Sequence, residues 1–204
     1  MVRPMLEPHC GPAKGRRSRD TLASGIVATM PYTPIVGTLC YVWDRANDRI
    51  LLVHRTGRPD DEQFGKWNGL GGKLERDEDV AGCMRRELAE EAGIAVTSME
   101  LRGTISWPGF GPNGEDWLGF VFLVDHWTGT PHSANPEGPL EWVPRPRLLA
   151  ACSEDPVERE SAELDMWEGD RFFLPLVFDS DRRSFHGVMP YEEGRPVGWH
   201  YERP

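Results

Sequence analysis

The chain has 204 residues, of which 39% are hydrophobic, so one domain with a sizeable core and some sequence left for a tail is expected. The formal net charge of -10 argues against binding to a nucleic-acid polymer, because affinity for the phosphate backbone comes mainly from Lys and Arg. No apolar run approaches the roughly 20 residues of a membrane span, and the four Cys residues form no zinc-binding pattern, so we expect a cytoplasmic protein with reduced thiols and no membrane partner.

Residues 1–32 are rich in Pro, Gly, Arg and Ser, a composition that predicts a flexible tail. An ordered domain is predicted to follow over residues 33–204. A strand is predicted over residues 35–43. Its partner in a hairpin is predicted over residues 49–54, because the Asp and Asn residues between them favour a turn. A loop rich in Gly, Pro and Asp then continues to about residue 66.

A helix is predicted over residues 80–92, with Asp79 as the N-cap and Gly93 as the C-terminal glycine. The remaining predicted elements are strands over 100–107, 117–125, 141–143, 184–189 and 197–201, and helices over 147–151, 157–166 and 170–178. Strands mixed with a few helices indicate a single layered α/β domain.

The helix after the Gly-rich stretch carries an unusual set of carboxylates. Met84 and Leu88 lie on its apolar stripe, and Glu91 projects into that stripe while Glu87 and Glu90 lie beside it. Like charges at this spacing repel, and a buried carboxylate without a partner is costly. Oxygen ligands suit Mg²⁺ or Mn²⁺, so the pattern favours a cation site, although a solvated acidic face is the plainer alternative.

Gly69, Gly71 and Gly72 precede this helix and let the backbone approach a ligand closely. A glycine cluster alone predicts no more than a tight turn. A glycine cluster followed by a helix with three carboxylates is a far more specific pattern.

These residues together resemble a known motif, because the sequence reads Gly72-x5-Glu78-x7-Arg86-Glu87-Leu88-x-Glu90-Glu91-x-Gly93-Ile94. It matches every defined position of the box of the Nudix hydrolases. The resemblance implies an α/β/α sandwich with a mixed sheet. It also implies an enzyme that cleaves a diphosphate linkage, with a metal-activated water attacking a phosphorus atom.

The resemblance also implies a role for each residue of the box. The metal ligands would be Glu87, Glu90 and Glu91, together with the backbone carbonyls of Gly71 and Gly72. Arg86 would hold the glutamates in place, while Glu78 and Gly93 would support the geometry of loop and helix. Glu137, which precedes Trp142 by five residues, would be a further metal ligand or the catalytic base; a surface carboxylate is the alternative.

A closer likeness is to the MutT-like 8-oxo-dGTP diphosphatases, which hydrolyse oxidised purine nucleoside triphosphates. It is carried by residues 64–73 and 166–175, followed by Phe185-His186-Gly187. The substrate-binding residues that this likeness implies are Asn68 and Asp170 as hydrogen-bonding groups for the base, Trp167 as a stacking surface, and Lys73.

Plainer roles are open for three of these residues: a turn for Asn68, core packing for Trp167 and an N-cap for Asp170. The sequence also departs from the likeness at Gly169, where the eukaryotic-type enzymes carry the first of two adjacent Asp residues. Strict selectivity for 8-oxoguanine is therefore not implied.

The predicted function is a Mg²⁺- or Mn²⁺-dependent pyrophosphohydrolase that converts a nucleoside triphosphate, such as 8-oxo-dGTP, to the monophosphate and pyrophosphate. One alternative is a Nudix hydrolase of ADP-ribose, a nucleotide sugar or a dinucleoside polyphosphate. Another is a Nudix module that binds a nucleotide without cleaving it, although such modules usually lose box glutamates. The expected partner is a small nucleotide, and a homodimer is compatible with the resemblance.

Overall fold

The computed structural model describes residues 32–60 and 63–204. The predicted tail over residues 1–32 lies outside the described residues except for Tyr32, so it remains a prediction. From Thr33 to Pro204 the described chain forms one compact unit. Within these residues, no helix is both long enough and apolar enough to cross a membrane.

The strands and helices follow one another along the whole compact unit. The strands are β1 (Ile35–Asp44), β2 (Arg49–His54), β3 (Trp67–Asn68), β4 (Ala95–Trp107), β5 (Trp117–Thr128), β6 (Ala134–Asn135), β7 (Gly138–Pro144), β8 (Phe185–Val188), β9 (Tyr191–Glu192), β10 (Arg195–Pro196) and β11 (His200–Glu202). The helices are α1 (Val80–Ala92), α2 (Arg145–Ala150), α3 (Pro156–Ser161) and α4 (Asp170–Phe178).

In the described part of the chain, nine strands form the main sheet in the order β11-β8-β4-β5-β1-β2-β7-β6, with β3 paired to β2. Strand β1 runs parallel to β5, and β4 runs parallel to β8. The hairpin of β1 and β2 and the long β4–β5 pair are antiparallel. The sheet is therefore mixed, as expected.

Helices cover both faces of this sheet because successive side chains of a strand point to opposite faces. In β1, Cys40 and Val42 pack with Met84 and Leu88 of α1. Tyr41, between them, packs on the other face with residues of α2 and α4 such as Phe173. Two apolar cores thus enclose the sheet, and each fully buried Leu or Phe contributes about 2 kcal/mol by leaving water. The predicted α/β/α sandwich is confirmed.

Helix α1 has the predicted bounds and both predicted caps. The Asp79 side chain accepts a hydrogen bond from the Gly82 N–H at 2.7 Å. Gly93 ends the helix with φ 69°, in the left-handed region, and its N–H donates to the Ala89 carbonyl at 3.1 Å. Gly93 therefore ends α1 as the sequence predicted, because glycine adopts this conformation at little cost.

Two predicted elements are partly wrong. The helix predicted over 157–166 ends at Ser161, because Glu163 adopts φ 51° and turns the chain out of the helix. The strand predicted over 197–201 begins only at His200, because the Val197 N–H donates to the Pro190 carbonyl instead of to a neighbouring strand. The short strands β3, β6, β9 and β10 were not predicted from the sequence.

Three of the four cysteines lie in the described chain, and Cys40, Cys83 and Cys152 are buried and free. Cys10 lies outside the described residues, and the reduced state of the thiols stays a prediction.

Candidate active site

The Gly-rich stretch before α1 lies flat against β1. The Thr38 N–H donates to the Gly72 carbonyl at 2.8 Å, and Cys40 and Leu70 exchange backbone hydrogen bonds of 2.6 and 3.0 Å. A Cβ atom on Gly69 would lie 2.7 Å from the Cys40 carbonyl oxygen, and one on Gly71 would overlap the Thr38 carbonyl. Only glycine permits this close approach, which places the loop backbone beside the C-terminal half of α1.

The carboxylates of α1 reach this loop. Glu91 accepts a hydrogen bond from the Gly71 N–H at 2.8 Å. The Glu87 carboxylate lies where a side chain on Gly72 would be, so residue 72 must be small. Burial, and then repulsion from Glu137 and Glu87, raises the pKa of Glu91 to about 8. The predicted carboxylates therefore approach one another closely enough to repel, while Glu90 remains exposed.

Arg86 holds these groups together by ion pairs with three glutamates. Its guanidinium donates to Glu78 at 2.9 Å, to Glu87 at 2.8 Å and to Glu90 at 3.3 Å. It also donates to the Lys73 carbonyl at 3.2 Å, which ties the loop to the helix. The bond to Arg86, together with the Glu75 N–H, lowers the pKa of Glu78 to about 2, so Glu78 is ionised at neutral pH.

Glu137 lies between β6 and β7, outside the motif, and its side chain is 21% exposed. It forms an ion pair with Arg55, whose side chain is 12% exposed and follows the end of β2. The Glu137 backbone is also fixed, because its N–H donates to the Asn135 side chain at 2.8 Å and its carbonyl accepts from Gly57 at 2.7 Å. Glu137 is therefore held in place rather than free on the surface.

A cavity of about 270 Å³ opens beside the Gly-rich loop. The predicted residues that line it are Asn68, Gly71, Gly72, Lys73, Glu137, Trp167 and Asp170. The side chains of Glu87 and Glu91 reach it only at the edge formed by Gly71 and Gly72, whereas the exposed Glu90 side chain bonds Arg86. Arg86, Glu78 and Gly93 are set back from it and support α1.

The cavity walls are mainly aromatic. Trp167 meets Phe110 edge to face, with ring centroids 5.8 Å apart, and Phe110 also packs on Trp117 at 6.3 Å and on Tyr191 at 5.0 Å. Trp167 therefore borders the cavity and is not only a core residue. The other wall residues were not predicted from the sequence. Their one signal there is that Trp107 and Trp117 flank a loop rich in Gly and Pro.

Asp170 is a buried carboxyl group at the cavity, and it is 7% exposed. Burial raises its pKa to about 7, against the opposing effects of the Trp167 backbone and Lys66. Its Oδ2 atom has no hydrogen-bond partner among the described residues. Gly169, not Asp170, occupies the N-cap position of α4, so the capping alternative is wrong. An unpartnered buried carboxyl oxygen is costly unless a ligand meets it.

Two further predicted residues add polar groups to the cavity. The Asn68 amide donates to the Gln63 side chain at 3.4 Å, which leaves its oxygen as an acceptor. The Lys73 ammonium lies over the Trp117 ring, 5.3 Å from its centroid, and adds a positive charge to the cavity lining. A neutral aromatic region thus adjoins a charged one.

The acidic groups fit a divalent cation in kind, since all are oxygen donors next to a loop stripped of side chains. The raised pKa of Glu91 shows that this carboxyl needs a positive charge nearby to be ionised at neutral pH. As placed, no three His, Cys, Asp or Glu side chains within residues 32–60 and 63–204 are close enough together to hold a metal ion. Glu91, Glu87 and Glu137 each point to a separate donor, so side-chain rotation would be needed to bring them together.

Comparison with known proteins finds a family and relatives that this chain resembles. A model of the NUDIX domain matches residues 33–167. The chain is 28% identical to the oxidized purine nucleoside triphosphate hydrolase of Mus musculus over 129 residues, which are 63% of this chain and 72% of the mouse protein. The protein of the same name from Danio rerio is 29% identical over 128 residues, covering 63% of this chain and 71% of that protein.

Two solved structures have folds similar to that of this chain. The crystal structure of a MutT protein from Bacillus halodurans superposes with a TM-score of 0.66 at 28% identity, over 83% of this chain and 99% of that chain. A bifunctional NMN adenylyltransferase/ADP ribose pyrophosphatase from Francisella tularensis, at 21% identity and a TM-score of 0.50 over 73% of this chain and 42% of its own, shares the fold.

Proposed function

Since the chain belongs to the Nudix family and is a Nudix hydrolase that acts on nucleotide derivatives, we propose that its substrate is a purine nucleoside triphosphate, including one with an oxidised base. The products are the nucleoside monophosphate and pyrophosphate. One observation carries this proposal: an aromatic cavity with a buried, unpartnered carboxyl oxygen on Asp170 opens next to the acidic motif.

Nudix hydrolases use divalent metals, and here we propose Mg²⁺ or Mn²⁺. Such a cation, when bound, lowers the pKa of the attacking water and offsets the negative charge of the diphosphate. The residues that would hold it are Glu87, Glu90, Glu91 and Glu137, with the carbonyls of Gly71 and Gly72. The Gly72 carbonyl already accepts from the Thr38 N–H at 2.8 Å and has a long contact of 3.9 Å with the Cys83 thiol, which a cation would replace.

We propose a separate role for each of three further side chains at this site. Glu137 lines the cavity and is held by Arg55. Its alternative to a role as a metal ligand is that of the base that accepts the proton of the attacking water. Lys73 supplies a positive charge for the substrate phosphates at the same edge. Arg86 bonds Glu87 and Glu90 and so maintains the spacing of the α1 carboxylates before substrate arrives.

The base of the nucleotide is proposed to enter the aromatic part of the cavity. Trp167 offers a flat surface for stacking, and Asn68 and Asp170 offer directional hydrogen bonds. Because the pKa of Asp170 is raised to about 7, its carboxyl group, when protonated, can donate a hydrogen bond to a keto oxygen of the base. A purine fits this combination of a large apolar surface and a polar edge.

The test is a panel of substrates incubated with Mg²⁺: ordinary and 8-oxo purine nucleoside triphosphates, ADP-ribose, UDP-glucose and diadenosine polyphosphates. We expect kcat/KM for one or more purine triphosphates to exceed that of every other class by at least about tenfold, which is about 1.4 kcal/mol of transition-state binding. A preference for a substrate that is not a triphosphate would contradict the proposal and favour another Nudix activity.

The Glu91→Gln variant tests the acidic site in the same assay. We expect a loss of activity on the order of 100-fold, because the amide removes a charge beside the loop but keeps the shape of the side chain. The matched control is Glu160→Gln, which removes an exposed carboxylate from α3 and should retain full activity.

A further inference from the structure

Gly169 is small for a steric reason. Its φ of -67° and ψ of -27° are ordinary helical values that any residue adopts, so the backbone does not require glycine. A Cβ atom at this position would overlap the hydroxyl oxygen of Tyr191 and would lie 2.7 Å from the sulfur of Met189. The missing side chain therefore provides the space that the Tyr191 hydroxyl occupies.

Tyr191 is fixed in this place. Its backbone N–H donates to the Pro108 carbonyl at 2.8 Å, and its ring packs edge to face on Phe110. The residue is 8% exposed, yet it lines the same cavity as Asp170. The hydroxyl thus lies against Gly169, the residue before Asp170, and both Tyr191 and Asp170 line the cavity.

We propose that Tyr191 is a specificity-determining residue, whose hydroxyl group donates a hydrogen bond to an acceptor atom on the base of the substrate. This inference rests on the proposed function, because it assigns a ligand to the aromatic part of the same cavity. The Tyr191 hydroxyl and the Asp170 carboxyl would act as a pair, with Gly169 leaving room for the first.

The direction of the hydrogen bond follows from the surroundings of the hydroxyl. Burial and the charges of Asp170 and Glu168 raise the pKa of Tyr191, so the phenol keeps its proton and is a donor. The matching atom on the base is a keto oxygen or an unprotonated ring nitrogen. The edge of a purine base carries acceptor atoms next to other polar groups. Such an edge can accept a hydrogen bond from Tyr191 and pair with the carboxyl group of Asp170 at the same time.

Kinetics of the Tyr191→Phe variant provide the first test, because this change removes only the hydroxyl. For the purine triphosphate that wild type prefers, we expect KM to rise about tenfold with kcat within about threefold, since the base lies away from the reacting phosphorus. The matched control is Tyr201→Phe on β11, where the ring is 41% exposed and lies outside the cavity lining. Unchanged KM in Tyr191→Phe would overturn the proposal.

A double-mutant cycle tests the steric relation without any substrate. Gly169→Ala should lower the melting temperature in the wild-type background, because the new methyl group overlaps the Tyr191 hydroxyl. In the Tyr191→Phe background the same change should lower it less, because the hydroxyl contact is gone and the Met189 sulfur at 2.7 Å is the one tight contact left. Additive shifts would show that the hydroxyl does not occupy this space.

The proposed substrate and the proposed role of Tyr191 can be refuted separately. If wild type shows no activity on purine triphosphates but the cycle is non-additive, the proposed function is wrong and the packing of Tyr191 against Gly169 stands. If wild type hydrolyses purine triphosphates and Tyr191→Phe matches it in KM for every one of them, the proposed function stands and the role of Tyr191 is refuted.

Discussion

Replacing Asp170 by asparagine should make the protein more stable at neutral and alkaline pH. Asp170 is 7% exposed, and burial raises its pKa from the ordinary value of 3.8 to about 7. The folded state therefore binds the Asp170 proton more tightly than the unfolded state does. The contribution of Asp170 to the free energy of unfolding is therefore fully present below pH 4 and is lost as the pH rises toward 7.

The size of the effect follows from the two pKa values. A rise from 3.8 to about 7 corresponds to a loss of roughly 4 kcal/mol, at about 1.4 kcal/mol for each pH unit. The asparagine side chain of Asp170→Asn has no proton to release, so the variant lacks this loss. The free energy of unfolding of the variant, relative to wild type, should increase by about 3 kcal/mol between pH 4 and pH 6.5 and level off above pH 8.

Urea unfolding of both proteins at several pH values from 4 to 8, followed by tryptophan fluorescence, measures this difference. The pH dependence of other groups cancels in the comparison, because the two chains share every other titratable residue. Parallel curves, with a constant difference at all pH values, would refute the argument that Asp170 is a desolvated carboxyl group in the folded protein.

Three further predictions concern single residues. Gly72→Ala should lower kcat about 100-fold with little change in melting temperature, because the new Cβ displaces the flexible end of Glu87. The control Gly82→Ala should retain activity, because its new Cβ makes no contact under 3.5 Å. Arg102→Met should lower the free energy of unfolding in urea by about 3 kcal/mol, since this 2%-exposed side chain bonds carbonyls at the end of α4. Asp79→Ala should cost about 1 kcal/mol by the same measurement, because it removes the N-cap bond to Gly82.

The acidic motif could be predicted from the sequence because it is local. Its spacing along α1 fixes which side chains share a face, and the caps at Asp79 and Gly93 are signalled by residue type. The hairpin of β1 and β2 was predictable for the same reason, since the turn residues lie between its strands. Each of these features depends on residues that lie close together in the sequence.

The aromatic cavity could be predicted only in part, because its walls come from distant segments. Phe110 and Tyr191 lie 81 positions apart in the numbering and meet only because β4 pairs with β8. Arg55 likewise meets Glu137 through the pairing of β2 with β7. The space left by Gly169 could not be inferred from composition, since its backbone angles do not require glycine.

The most direct test of the central claim identifies the products from a purine nucleoside triphosphate with Mg²⁺, for wild type and for Glu91→Gln. Separation by chromatography distinguishes monophosphate plus pyrophosphate from diphosphate plus phosphate. We predict that wild type releases the monophosphate and pyrophosphate in equal amounts, and that Glu91→Gln releases both about 100-fold more slowly. Release of the diphosphate and phosphate, or equal rates for both proteins, would contradict the claim.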